Sequence, residues 1–237
     1  MNVADRLSRL TSRDDCDYEL VLRLEDIRWL TGFTGGTAQL ILNVARGESW
    51  LLVDGRYVER AQSELSLMGA STSVVPVVNS AQFIDVQLEI VAGSILGVDM
   101  SHLTAAHLQQ LQQRISVVAI ESQFDAVRRI KDDNEIQLIS DAAHITDIAL
   151  QSVVSDGLIG KSERQIRNRL DQLMRDAGAD DVAFETIVAT GPNGARPHHE
   201  PSHDIVQNGH GVIIDMGAMI EGYRSDMTRT ILVGSID

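Results

Sequence analysis

Residues 211–234 read GVIIDMGAMIEGYRSDMTRTILVG, and the order of apolar, turn and acidic residues there decides how the later part of the chain folds. Two strand-like runs, 211–220 and 223–234, flank Glu221-Gly222, and a glycine at the second turn position suits a tight hairpin. With a two-residue turn, Ile220 faces Tyr223. Asp226 then falls opposite Gly217, and Asp215 opposite Thr228. Side chains alternate faces along a strand, and directly opposed residues share a face. Asp215 and Asp226 are therefore diagonal neighbours on one side of the hairpin. A four-residue turn keeps this register, and an odd-length turn breaks it.

Two carboxylates at such range raise each other's pKa unless a positive charge lies between them, and a divalent cation is the simplest such charge. Carboxylate oxygens suit Mn²⁺ and Mg²⁺, and with imidazole added also Zn²⁺ or Co²⁺. Gly217 leaves space beside Asp226, and Thr228 is positioned to hydrogen-bond a ligating carboxylate. The pair alone fits two solvent-facing strand aspartates equally well. The nearly continuous apolar run GVIIDMGAMI tips the reading toward a buried strand, where an unpartnered carboxylate is costly.

Upstream, the spacing predicts two long helices. One begins at Asp132, with Glu135 completing a capping-box pattern, and Ile136, Ile139, Ala143, Leu150 and Val153 form its apolar stripe. The next begins at Ser162 with Gln165, carries Ile166, Leu170, Leu173, Met174 and Ala177, and stops at Gly178. A strand at 183–189 leads into TGPNGARPHHEPSHD (190–204), which holds Pro192, Pro197 and Pro201 and is a shaped loop. His199 and His203 are expected to be ordinary solvated histidines, and the loop lies outside any helix that would give an HxxE metal pattern.

The first half alternates strands at 17–23, 37–43, 49–54, 72–78, 94–99 and 116–120 with helical spacing at 55–66, 80–91 and 104–114. That pattern predicts an α/β domain over 1–125. The polar stretch 121–132 reads as a linker into an α+β domain over 126–237. TGFTGG (31–36) lacks the strand–GxGxxG–helix setting of a dinucleotide fold.

The 237 residues carry a formal charge of −14, which repels nucleic-acid backbones and anionic lipid. A single cysteine, Cys16, excludes an intrachain disulfide and suits a reducing cytoplasm. The N-terminus has no apolar core of a signal peptide, and no stretch approaches the ~18 apolar residues of a membrane span.

The hairpin, with its SDMTRT tail (225–230), resembles the metal-binding hairpin of the Xaa-Pro aminopeptidase, prolidase and creatinase family. FETIVATGPNGARPHH (184–199) is similar to that family's substrate loop, and RRIKDDNEIQLISDAAHITD (128–147) to the entry into its catalytic domain. RWLTGFTGGTAQL (28–40) and VDGRYVERAQ (53–62) resemble its N-terminal domain. The resemblance implies an α/β creatinase-like N-terminal domain followed by the first half of an α+β pita-bread catalytic domain. It implies two divalent metal ions, manganese first with cobalt or zinc as alternatives. Asp215 chelates one ion and Asp226 bridges both. His198 bonds the substrate or the tetrahedral intermediate, and Phe184 lines the pocket for the substrate's first residue. The implied reaction is hydrolysis of the Xaa-Pro bond of short proline-containing peptides by a metal-bound hydroxide, in a cytoplasmic homodimer. The family's remaining ligands, a histidine and two glutamates, belong to a second half beyond Asp237. The expectation is therefore a piece of a longer enzyme that binds metal weakly by itself. The alternatives are a non-catalytic pita-bread-like binding module and a creatinase-like C–N hydrolase, and retention of both aspartates favours the peptidase.

Overall fold

Strand patterning in the first half of the sequence is strong because most strand residues are apolar, the mark of a sheet covered on both faces. The computed structural model describes residue 3 and residues 5–79 and 82–235. Residues 80 and 81, where the sequence begins a helix, lie outside the described residues, as do 236 and 237 at the expected chain end. The chain divides into two units, Met1–Ile130 and Lys131–Asp237.

The first unit contains β1 (Tyr18–Val21), α1 (Leu24–Thr31), β2 (Ala38–Asn43), β3 (Glu48–Asp54), α2 (Val58–Met68) and β4 (Ser73–Val77). It continues through α3 (Gln82–Ile90), β5 (Ile95–Val98), α4 (Ala105–Gln112), β6 (Ser116–Ala119) and α5 (Phe124–Arg129). Its strands form one mixed sheet in the order β4-β3-β2-β1-β5-β6. Neighbouring residues alternate between two apolar layers. Leu40, Leu42, Leu51 and Val53 pack with Ile27, Leu30, Ala61, Leu65 and Phe124. Ile41, Leu52, Leu96 and Val98 pack with Phe83, Leu88 and Leu111. Among the described residues no helix is long and apolar enough to cross a membrane.

Two features differ from the sequence reading. Helix α1 was not expected. It is an eight-residue helix closed by Gly32, whose amide donates to the Arg28 carbonyl and whose φ of 78° turns the chain out of the helix. The stretch 121–132 is not a plain linker, because α5 belongs to the first unit, which runs to Ile130 rather than to residue 125. Phe124 is buried and meets Trp29 edge-on at 6.1 Å. Arg128 pairs with the buried Asp26 at 2.6 Å.

The second unit contains α6 (Asp133–Ser155), α7 (Glu163–Asp176), β7 (Asp181–Val182), β8 (Ile187–Thr190), β9 (Gly211–Met216), β10 (Ala218–Ile220), β11 (Tyr223–Arg224) and β12 (Met227–Leu232). Both helices start with complete capping boxes, Asp132 with Glu135 and Ser162 with Gln165. The strands form two antiparallel three-stranded sheets, β11-β10-β7 and β12-β9-β8. One face is covered by α6 and α7, where Ile145, Ala149, Val153, Ile166, Leu170 and Met174 pack on Val188, Val212, Ile214 and Met216.

The expected stripe of α6 is displaced. Ile136 and Ala143 are exposed, while Ala142, Ile145, Thr146, Ala149 and Val153 are buried. Tertiary packing selected the face with small residues, which lets the helix approach the sheet closely. Of the expected strand at 183–189 only 187–189 is extended, as part of β8, while 183–186 lie in neither β7 nor β8.

Replacing Phe124 by alanine is expected to destabilise the chain by about 3 kcal/mol, measured by urea unfolding. A linker side chain at this position would change stability negligibly.

Candidate functional site

The hairpin follows the register set by its turn. Glu221 and Gly222 have φ of 46° and 77°, so both central residues are left-handed, as the hairpin's twist requires. Ile220 pairs with Tyr223, Met219 with Arg224, and, beyond a break, Met216 with Met227 and Asp215 with Thr228. The same register thus holds on both sides of the break. The expected continuous strands are interrupted at Gly217 on one side and at Ser225-Asp226 on the other.

The break has a local cause. Ser225 N–H donates to the Ala218 carbonyl at 3.0 Å, as in a regular ladder. The Ser225 carbonyl instead lies against Gly217, where a Cβ would collide with it. Gly217 does not leave open space beside Asp226, as the sequence reading had it. The room is taken by the carbonyl of the peptide that leads into Asp226, with the Phe184 ring and Ala183 as the other close neighbours.

The hairpin is not buried on both faces. Val212, Ile214 and Met216 are buried, and the opposite face of β9, with Ile213 and Asp215, is half-exposed. The continuous apolar run misled here because Ile213 fills an outward position. Thr228 Oγ1 donates to Asp215 Oδ1 at 2.6 Å, fixing that carboxylate and leaving its second oxygen without a donor among the described residues. Asp226 is exposed and makes no hydrogen bond or ion pair among the described residues. Thr228, two residues on, is exposed like Asp226, while Ser225, just before Asp226, is buried. No three His, Cys, Asp or Glu side chains among the described residues gather closely enough to hold a metal by themselves. As a donor set, two carboxylates not fully buried, one already oriented by a hydroxyl, suit a divalent cation.

The loop after β8 is organised by a residue that sequence reasoning passed over. Glu163, at the start of α7, is fully buried. Its Oε1 accepts from Thr190 N at 2.7 Å and Asn193 Nδ2 at 3.0 Å. Its Oε2 accepts from His199 Nε2 at 2.7 Å and from Ser202 N and Oγ, both at 2.8 Å. Burial works against the carboxylate, but the bonds from His199, Thr190, Asn193 and Ser202 together outweigh it and hold the pKa at about 2, below the ordinary 4.5. His199, expected to be a solvated histidine, is therefore a structural donor with its side chain only 7% exposed. An acidic residue in the first helical turn ordinarily reads as a complement to the helix dipole, so no local pattern marks it. His198 beside it is exposed, with a left-handed φ of 56°. No hydrogen bond joins His198 to either aspartate among the described residues.

Two outcomes are expected. Gly217→Ala should cost about 2 kcal/mol in chemical denaturation, because its Cβ meets main chain. Glu163→Gln should cost about 3 kcal/mol at neutral pH, from a carboxyl pKa lowered from 4.5 to about 2. A depressed carboxyl pKa stabilises fully above the unfolded value and loses that contribution as pH falls through the folded one. The stability gap between the unsubstituted chain and the variant should therefore shrink between pH 4.5 and about 2, followed by urea titrations across that range.

Comparison with known proteins gives a consistent result. Residues 4–130 match the Creatinase/Prolidase N-terminal domain, and residues 137–237 match Metallopeptidase family M24. An Xaa-Pro dipeptidase of Pyrococcus furiosus is 32% identical over 193 residues, covering 80% of this chain and 55% of that protein. An Xaa-Pro dipeptidase of Pyrococcus horikoshii is 28% identical, covering 97% of this chain and 64% of its own length. Among solved structures, an Xaa-Pro dipeptidase from Bacillus anthracis superposes with a TM-score of 0.85 at 30% identity, over 94% of this chain and 62% of that one. The chain thus spans less than two thirds of the length of these relatives. The two matched domains, in this order and over nearly all of the sequence, show that the chain belongs to the creatinase/prolidase family of M24 metallopeptidases.

Proposed function

We propose that this chain carries the aspartate side of a divalent-metal site that hydrolyses the Xaa-Pro bond of short peptides. The observation that supports it best is the pairing on the open hairpin face. Asp215 is oriented by Thr228, and Asp226 stands exposed with no competing partner among the described residues. In this reading Asp215 and Asp226 would hold the metal, with Thr228 keeping one oxygen of Asp215 engaged and the other available to a cation. A divalent cation there supplies activation of water near neutral pH and polarisation of the scissile carbonyl. Manganese is the first candidate, with cobalt and zinc as alternatives.

His198 is assigned to hydrogen-bond the substrate and Phe184 to line the pocket for its first residue. The exposed imidazole of His198 supports the first role. The contact of the Phe184 ring with Gly217, opposite Asp226, supports the second. The names of the relatives, Xaa-Pro dipeptidases, support the substrate class. The single cysteine supports a reducing compartment such as the cytoplasm.

Mn²⁺ is expected to raise the melting temperature of the chain, since a ligand that binds only the folded state at tenfold its Kd adds about 1.4 kcal/mol. Asp226→Asn should abolish most of that rise. No rise in the unsubstituted chain at millimolar Mn²⁺ would remove the reading. Hydrolysis of an Xaa-Pro dipeptide in excess Mn²⁺, lost in Asp226→Asn and absent for a dipeptide without proline, is the matching activity.

A further inference from the structure

Thr146 on α6 and Ser225 in the hairpin have no part in the chemistry assigned so far. Both are buried, Thr146 completely, and both lie where α6 and the hairpin are otherwise packed through apolar side chains. Their hydroxyls are 2.7 Å apart. Ala218 N–H donates to Ser225 Oγ at 2.9 Å and to Thr146 Oγ1 at 3.2 Å. Thr146 Oγ1 in turn donates to the Ala142 carbonyl at 2.9 Å. One arrangement uses each proton once: Thr146 gives to Ala142, Ser225 gives to Thr146, and Ala218 N–H is shared between the two hydroxyls.

The position of this cluster is informative. In a regular antiparallel pair the two opposed residues exchange both of their N–H···O bonds. Here Ser225 N–H still reaches the Ala218 carbonyl. The reciprocal bond, from Ala218 N–H to the Ser225 carbonyl, is missing, because that carbonyl lies against Gly217. The two hydroxyls occupy the vacated acceptor role. A buried amide without an acceptor costs about 1–3 kcal/mol, so without the hydroxyls the carbonyl would be drawn back into the ladder. That carbonyl belongs to the peptide linking Ser225 to Asp226, and its rotation turns the aspartate with it.

We infer that Thr146 and Ser225 are positioning residues for Asp226: their paired hydroxyls replace the Ser225 carbonyl as acceptor for Ala218 N–H, which holds the Ser225–Asp226 peptide rotated out of the ladder and sets where the Asp226 carboxylate meets a divalent cation. The inference rests on the metal role proposed for Asp215 and Asp226. It extends the site into the core of the second unit and ties it to helix α6.

The test uses the isotope-labelled 237-residue chain titrated with Mn²⁺ alone, reading paramagnetic broadening of the Asp215 and Asp226 amide resonances. Asp226→Asn, Thr146→Val, Thr146→Ser and the double variant Thr146→Val/Ser225→Ala are compared, with the Asp226 carboxyl carbon shift as a metal-free readout. The double variant is expected to bind Mn²⁺ about tenfold more weakly and to shift the Asp226 carboxyl resonance. Thr146→Ser, which keeps the hydroxyl, should retain the original affinity. Thr146→Val, nearly isosteric, serves if the double variant does not fold, and should show a smaller loss of the same kind. Unchanged affinity and carbon shift in the hydroxyl-free variants, with affinity lost in Asp226→Asn, overturn this inference and leave the metal reading standing. No Mn²⁺ effect on either aspartate of the unsubstituted chain overturns both.

Discussion

The close approach of the Ser225 carbonyl to Gly217 is the constraint on which the second unit depends. It cuts one long hairpin into two short ones, so that β9 and β12 join β8 while β10 and β11 join β7. A hairpin of uninterrupted strands would carry its right-handed twist along a single ribbon. Broken here, it serves two sheets, both lying under α6 and α7, and its outer face offers Asp215 and Asp226 near the bend. Only glycine permits this, because the space a Cβ would take is filled by main chain.

Three carboxylates in this unit differ in how much of their hydrogen-bonding capacity is taken up. Glu163 is fully buried and saturated, with one hydrogen bond from the end of β8 and four from the loop that follows it. Its charge is used up in holding Thr190, Asn193, His199 and Ser202 together, and its lowered pKa reflects those bonds. Asp226 is the opposite, exposed and without a donor among the described residues, and Asp215 stands between, with one oxygen engaged by Thr228. A saturated carboxylate shapes a loop, whereas one with free lone pairs can take a cation. The difference lies in the donors around each group, since the three side chains share one functional group.

The same contrast explains which parts were legible beforehand. The hairpin register could be read because turn length and side-chain alternation are both local, and Glu221-Gly222 states the turn in two residues. Both capping boxes could be read because each is closed within four residues of chain. The stripe of α6 was misplaced because hydropathy favours Ile136, while packing favours the face of Ala142, Thr146 and Ala149, whose small side chains admit the hairpin. The role of Glu163 was not legible because its partner His199 lies 36 residues away. The serine before Asp226 was equally opaque, since its hydroxyl matters only where a carbonyl has left the ladder.

Family membership, the two-domain α/β then α+β class, the hairpin register and both capping boxes were thus legible in the sequence alone, because each follows from short-range periodicity, turn chemistry or motif spacing. Tertiary structure decided which helix face is buried, where the hairpin breaks, which histidine of the 198–199 pair is a structural donor, and how much donor capacity each carboxylate keeps free. Those outcomes depend on atoms brought together from distant parts of the chain. Hydrogen-bond saturation and close packing are properties of that assembled neighbourhood, and no stretch of sequence states them in advance.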